Sequence, residues 1–132
     1  MISLNFIKMG MQDKINELFR AIDSMDADRF ITFLTEDAQF KFGNNPKVIG
    51  KDAVKEAVKE FFSSIKGLSH EVINTWSHPD TIICQGEVTY TRKDDSKVTI
   101  PFVNIFGIKE NLVKDYLIYI DIAPLFANLG KN

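Results

Sequence analysis

Hydrophobic residues in the first half of the chain follow two different spacings. From 13 to 25 and from 52 to 65 they recur every three or four positions, which is typical of one face of an α-helix. A shorter apolar cluster follows the carboxylates of 26–28, which are common helix N-caps. Within 38–42, apolar residues alternate with polar ones, as in a half-buried strand. This half is therefore predicted to hold three helices and one strand.

After Gly67 the pattern becomes that of strands. Four segments rich in Val, Ile, Thr, Phe and Tyr follow, separated by turns: 68–76, 81–92, 96–109 and 112–122. Their separators are short enough for hairpins, so the four strands should form an antiparallel meander. Helices first and strands last predict an α+β fold. We expect three N-terminal helices on a strongly curved, mostly antiparallel sheet that forms a cone with an internal pocket.

The side of the last strand that faces this pocket depends on one residue of register. If 110–111 is a plain two-residue turn, Asn104 lies opposite Leu117 and shares its face with Asp121. A single bulge in either strand reverses the facing and turns Tyr116 inward instead. The sequence leaves both registers open.

Composition favours a single globular domain. The 132 residues are 45% hydrophobic and 26% charged, with a formal charge of −2. This charge provides no general electrostatic attraction to nucleic acid or to an acidic membrane, so we expect neither as a partner. No apolar run is long enough to span a membrane, and the first eight residues lack the features of a secretory signal. We expect a cytoplasmic protein with an N-terminal extension over 1–10 and one domain over 11–132.

Several short motifs, in this order of elements, resemble the SnoaL-like branch of the nuclear-transport-factor-2-like superfamily. They are Phe33-Leu34-Thr35-Glu36-Asp37-Ala38, Ile49-Gly50-Lys51-Asp52-Ala53-Val54, Val88-Thr89-Tyr90-Thr91-Arg92-Lys93-Asp94, Ile100-Pro101-Phe102 and Tyr119-Ile120-Asp121 before Pro124-Leu125-Phe126. The resemblance implies a cone-shaped fold, usually dimeric, with a ligand pocket inside. It implies less about function, because this scaffold hosts isomerases, cyclases, epoxide hydrolases, dehydratases and noncatalytic binding modules.

The catalytic residues of these relatives are only partly matched. Ketosteroid isomerases of the superfamily carry carboxyl groups at positions that correspond here to Phe42 and Asn104, which cannot titrate. Epoxide hydrolases of the limonene type resemble the chain at Arg92 and Asp94, but phenylalanines replace their water-positioning groups. The last-strand aspartate that serves as the proposed base in SnoaL-type polyketide cyclases matches Asp121.

The resemblance makes Asp121 and Asn104 the candidate catalytic residues, and each has a structural alternative. Asp121 lies between two isoleucines, which suits a general base for a C–H acid, and Asp121→Asn would then abolish turnover. The alternative is that Asp121 caps the turn after the last strand. Asn104 can donate a hydrogen bond to a ligand, or it can be satisfied by protein groups.

Aromatic residues dominate the predicted pocket lining. The candidate ligand-binding residues are Phe42, Trp76, Tyr90, Phe102, Phe106, Tyr116 and Tyr119. His70 and His78 do not have the spacing of a metal site, and no nucleotide-binding motif occurs, so we expect neither a metal nor a cofactor. The single Cys84 has the context of a buried structural thiol.

Two functions remain open. The first is a homodimeric protein that binds a hydrophobic small molecule and carries out, if it is catalytic, isomerase- or cyclase-type chemistry without a cofactor. The second is a noncatalytic dimerisation or protein-binding module whose cone is plugged by phenylalanines. A cavity of roughly 300 Å3 or more favours the first. The dimer surface is predicted on the outer face of the meander. Strands 81–92 and 112–122 carry apolar residues at both odd and even positions, which is more than one buried face requires.

Overall fold

The computed structural model describes residues 10–127. Four helices and six strands follow one another: α1 Met11–Asp23, α2 Ala27–Phe30, β1 Leu34–Phe42, β2 Val48–Ile49, α3 Lys51–Ser63, β3 Gly67–His78, β4 Thr81–Thr91, β5 Lys97–Lys109, β6 Leu112–Ile120 and α4 Ala123–Phe126. A 3₁₀ turn over Ile31–Phe33 joins α2 to β1. The fold is α+β, as the sequence pattern predicts.

One six-stranded sheet organises the molecule, in the order β2-β1-β6-β5-β4-β3. All neighbouring strands are antiparallel except β1 and β6, which are parallel. In β4 and β5 every second residue is buried, because these side chains point to the concave face that the helices cover. The sheet thus has a concave inner face and a convex outer face.

The helices bury their apolar stripes against the concave face. In α1 the buried positions include Ile15, Leu18 and Phe19, at the spacing that the sequence predicts, and this helix packs on β3. Helix α3 buries Val54 and Val58 and packs on β1. The core therefore lies between the helices and the sheet.

The hairpin between β5 and β6 adopts the second of the two predicted registers. Glu110 and Asn111 both have positive φ, as a two-residue type I′ turn requires. Beyond the turn, Ile108 pairs with Val113 and Gly107 with Asp115, so Lys114 is an extra residue. This bulge shifts every later pair by one. Tyr116 and Ile118 therefore face the concave side, and the register of the plain hairpin is wrong.

Close contact between β3 and β4 depends on Gly86. A Cβ atom at this position would lie 2.0 Å from the carbonyl oxygen of Glu71, far inside van der Waals contact. This close contact between Gly86 and Glu71 lies next to a shift in the β3–β4 register, between Val72 and Asn74. Gly86 is thus required for the close approach of β3 at the edge of the cone.

Element bounds agree with the sequence pattern within two residues for α1, α3 and the four long strands after Gly67. Strand β1 differs, because it begins at Leu34 rather than at Ala38. The pattern predicts α1, α3 and the four long strands, but it misses β2 and α4. Both are short and lack a full hydrophobic period. The predicted N-terminal extension lies outside the described residues except for residue 10, and residues 128–132 lie outside them too.

Candidate functional site

A cavity of about 360 Å3 opens inside the cone. Aromatic rings form much of its wall: Phe42 packs edge-to-face on Phe61 at a centroid distance of 4.9 Å, and Phe61 packs on Tyr90 at 5.7 Å. Phe40 and Tyr116 continue this wall. Three α3 residues complete one side: Ala57, Val58 and Phe62. The cavity is therefore a mainly apolar space that suits a hydrophobic small molecule.

The polar lining residues divide into a rim and an interior. Asn45, Glu60 and Ser64 line the cavity and are exposed to solvent, so they belong to its mouth. The buried or half-buried polar residues that line it are four: His70, Tyr90, Asn104 and Tyr116. Few but specific polar groups inside an apolar cavity are typical of a site that orients a ligand.

His70 is held by a carboxylate. The His70 Nδ1 atom lies 2.6 Å from Asp23 Oδ1, and the His70 backbone N–H donates to Asp23 Oδ2 at 3.0 Å. The imidazole also packs against the rings of Phe19 and Phe102, at centroid distances of 5.0 Å and 5.2 Å. Because the carboxylate accepts from Nδ1–H, Nε2 is the ring nitrogen left for a ligand, and no described residue bonds to it.

The fold brings this pair together from distant parts of the sequence. Asp23 is the last residue of α1, and His70 lies on β3 at the edge of the sheet. An edge strand has backbone N–H groups without a strand partner, and Asp23 accepts from one of them. A carboxylate at a helix C-terminus is unfavourable by roughly 0.3–1 kcal/mol, because it faces the negative end of the dipole. The contacts with His70 offset this cost.

Asn104 and Tyr116 form a second polar pair within the cavity lining. Asn104 is 1% exposed, and its Nδ2 donates to Tyr116 Oη at 3.5 Å, the outer limit of a hydrogen bond. Its Oδ1 is the one buried side-chain oxygen or nitrogen in residues 10–127 with no hydrogen-bond partner. Leaving such an atom unpaired costs roughly 1–3 kcal/mol.

Both cavity tyrosines remain protonated over the ordinary pH range. Burial raises the pKa of Tyr90 and the pKa of Tyr116 well above that of a free tyrosine, and the charge of Asp23 adds to both shifts. Their hydroxyl groups therefore stay available as hydrogen-bond donors inside the cavity.

Five of the residues predicted from the sequence line the cavity. They are Phe42, Tyr90, Phe102, Asn104 and Tyr116. Phe106 does not: it is 0% exposed and packs behind the wall, against Phe19 and Tyr116.

Asp121, Trp76 and Tyr119 lie away from the cavity. The Lys114 bulge places Tyr119 on the convex face, where it is 60% exposed, and Trp76 is 51% exposed there. Asp121 is exposed, and its Oδ1 accepts a hydrogen bond from the backbone N–H of Ala123 at 3.1 Å. The Asp121 side chain thus caps the turn before α4. Because of the bulge, Asp121 does not share the face of Asn104.

Other candidate groups have structural contacts. The Arg92 guanidinium donates to the carbonyl oxygens of Pro124 and Leu125 and so ties α4 to the β4–β5 hairpin. Cys84 is buried, and burial raises the pKa of its thiol, as expected for an unreactive structural cysteine. Within residues 10–127, no three His, Cys, Asp or Glu side chains gather closely enough to hold a metal ion.

Comparison with known proteins identifies the family. The model of the SnoaL-like domain matches residues 15–116, so the chain belongs to the SnoaL-like family. It is similar to an NTF2-like protein of unknown function from Burkholderia pseudomallei, with 14% identity and a TM-score of 0.81, over 89% of this chain and 96% of that one. A protein from Shewanella putrefaciens that is proposed to be a SnoaL-like polyketide cyclase has 16% identity and a TM-score of 0.77, over 93% of this chain and 98% of that one.

A third solved structure of the same fold comes from crystals grown with a small molecule. TerC, co-crystallised with polyporic acid, has 12% identity and a TM-score of 0.77, over 87% of this chain and 94% of that one. No curated protein sequence matches. In residues 10–127, no helix is both long enough and apolar enough to cross a membrane.

The Asp23–His70 pair is the part of the site that sequence reasoning missed. His70 has no motif around it, and Asp23 is 47 positions away. One signal was present: an aspartate at the end of a predicted helix, where acidic residues are disfavoured. A residue that violates a local rule is a candidate for a functional role.

Proposed function

We propose that this protein binds a hydrophobic small molecule in the cone and transfers a proton on it, with His70 as the general base. The single observation that carries the proposal is the Asp23–His70 pair, with Nε2 unbonded by any described residue and His70 lining a mainly apolar cavity of about 360 Å3. A histidine oriented by a carboxylate is a common arrangement for proton transfer near neutral pH. The reaction class is a cofactor-free isomerisation, cyclisation or related acid–base reaction.

Each polar residue has a role in this proposal. Asp23 holds the imidazole in one orientation and stabilises the imidazolium that forms when Nε2 accepts a proton. The hydroxyl of Tyr90 is a donor for the oxygen on which negative charge develops. The aromatic wall excludes water and strengthens these interactions.

The proton transfer balances without any further reactant. Nε2 takes the proton from a carbon next to a carbonyl group, so a C–H bond breaks and an N–H bond forms. The electron pair moves to the carbonyl oxygen as an enolate, and the imidazolium returns its proton to another carbon of the same molecule. Such base catalysis contributes typically 10²–10⁴-fold to the rate.

The test uses 2-tetralone, a small apolar ketone, as the probe. We expect the protein to accelerate hydrogen–deuterium exchange next to its carbonyl in D₂O, measured by NMR, and His70→Gln to remove the acceleration. His78→Gln is the matched control, because His78 is the other histidine of the chain and is exposed at the end of β3. Exchange that is equally fast in His70→Gln contradicts the role of His70. Binding without accelerated exchange in the wild type limits the function to ligand binding.

We also propose that the convex face pairs with a second copy of the chain. Trp76, Ile83, Ile105 and Leu117 lie side by side across four strands. The next row, Asn74, Gln85, Val103 and Tyr119, is also uncharged. These two rows carry no charge, so they can meet a second copy across a two-fold axis without like-charge repulsion between them. Charged residues lie at their border, namely Lys41 beside Leu117 and the Glu71–Glu87 pair. Light scattering that shows a monomer at micromolar concentration would overturn this assembly.

A further inference from the structure

The buried Asn104–Tyr116 pair has unused hydrogen-bonding capacity. In the arrangement present, Asn104 Nδ2 donates to Tyr116 Oη, so the amide oxygen is a free acceptor and the tyrosine hydroxyl is a free donor. Turning the amide by 180° exchanges these roles, with Tyr116 donating to the amide oxygen and Nδ2 left free. Either way, the pair presents at least one donor and one acceptor.

The cavity around Asn104 and Tyr116 offers a ligand no other polar group on β6 or β1. Both residues line the cavity, and the groups near them that line it on β6 and β1 are apolar: Phe40, Phe42 and Ile118. The 3.5 Å contact between the two side chains is long, so a third group can bond to both without breaking a strong pair. Burial raises the pKa of Tyr116, which keeps its proton available.

We propose that Asn104 and Tyr116 together form a subsite for a hydroxyl group of the ligand. A hydroxyl is both donor and acceptor, so it satisfies the amide oxygen and the tyrosine proton at once. In the arrangement present, a ketone or an ether can accept from Tyr116 but has no donor for the amide oxygen, which stays unpaired. The ligand class is thus an apolar molecule, such as a phenol or an enol, that carries a hydroxyl at the end bound by Asn104.

This inference rests on the proposed binding function and is separate from the role of His70. Phe102 contacts His70, and Asn104 is two residues further along the same face of β5. The hydroxyl subsite and the base are therefore neighbouring but distinct groups. One ligand can reach both if its reacting carbon and its hydroxyl lie on the same small apolar frame.

The experiment compares 2-naphthol with 2-methoxynaphthalene by titration calorimetry, because the two probes share the same apolar body. In the wild type we expect 2-naphthol to bind about tenfold or more tightly, since the ether leaves a buried polar atom unpaired. In Asn104→Leu and in Tyr116→Phe the preference should fall to about twofold or less. Tyr119→Phe is the matched control: it removes a tyrosine hydroxyl from the same strand as Tyr116, but on the convex face outside the cavity, and should keep the preference.

The outcomes separate this inference from the proposed function. Equal binding of both probes to the wild type overturns the hydroxyl subsite and leaves the hydrophobic cavity in place. A preference that survives in both Asn104→Leu and Tyr116→Phe also overturns it, since another group then binds the hydroxyl. If neither probe binds, both the subsite and the binding function fail. Tyr116→Phe removes a single oxygen, so it keeps the test valid if Asn104→Leu does not fold.

Discussion

The two faces of the sheet carry similar residues in different surroundings. On the concave face, Phe102 and Tyr116 are buried beneath the helices and line the cavity. On the convex face, Trp76 and Tyr119 are more than half exposed. Tyr116 and Tyr119 even come from the same strand, β6, because successive residues of a strand point to opposite sides. Aromatic content alone therefore does not identify a ligand-binding residue here; the side of the sheet does.

The largest expected effect concerns stability on the concave side. Phe106→Ala removes a fully buried ring that packs on Tyr116 at a centroid distance of 4.7 Å, so we expect a loss of about 3–5 kcal/mol in the free energy of unfolding. Tyr119→Ala, on the convex face, should change this free energy by about 0.5 kcal/mol or less. Urea unfolding of dilute, monomeric protein measures both. Equal losses would contradict the difference between the two faces.

The next effect compares two carboxylates. Asp23→Asn removes the charge that orients His70, so we expect the exchange rate of 2-tetralone to fall by about 10²-fold or more. Asp121→Asn should leave the rate unchanged, because this side chain caps the turn before α4 outside the cavity. The NMR exchange assay measures both variants. A large loss in Asp121→Asn with none in Asp23→Asn would restore Asp121 as the catalytic group.

A smaller effect concerns assembly. Leu117→Glu places a carboxylate at the β6 end of the convex apolar row, and burying this charge against a second copy costs free energy. We expect the dimer dissociation constant to rise by about tenfold or more, measured by sedimentation. Lys93→Glu, in the exposed β4–β5 turn, also changes a charge and is the control. An unchanged constant in Leu117→Glu would place the dimer surface elsewhere.

The smallest effect at ordinary pH comes from the buried tyrosines. Their pKa values are raised in the folded state, so the folded protein holds these protons more tightly than the unfolded chain does. The resulting stabilisation is fully present below about pH 10, where free tyrosine ionises, and is lost as the pH rises further. Unfolding measured between pH 8 and pH 11 should show constant stability first and then a decline. The decline should be smaller in Tyr90→Phe.

The sequence pattern predicts the long elements because their hydrophobic period extends over several turns or strand residues. Helix α1 buries Ile15, Leu18 and Phe19, as its predicted period requires. The predicted strand 81–92 is β4, and only the structure shows that its buried residues alternate along the whole length. Strand β2 and helix α4 were not predicted. Elements of two and four residues are set by their neighbours rather than by their own period.

The candidate site was predicted in part. Asn104 and four of the predicted aromatic residues line the cavity: Phe42, Tyr90, Phe102 and Tyr116. Phe42 lies in the alternating segment of β1, which the sequence pattern shows directly. The residues of the last strand could not be assigned, since the extra residue Lys114 leaves no signature in the sequence. This one insertion exchanges Tyr119 and Asp121 for Tyr116 and Ile118 on the inner face.

The sequence by itself determined the fold class, the order of the long elements and an apolar interior, because these depend on local periodicity and on the resemblance to one family. The tertiary structure decided the site: it joined Asp23 to His70 across 47 positions and left Asn104 Oδ1 unpaired beside Tyr116. Hydrogen bonds between distant residues depend on register and on the packing of α1 against β3. The hydrophobic periodicity of a single segment predicts neither the register nor this packing.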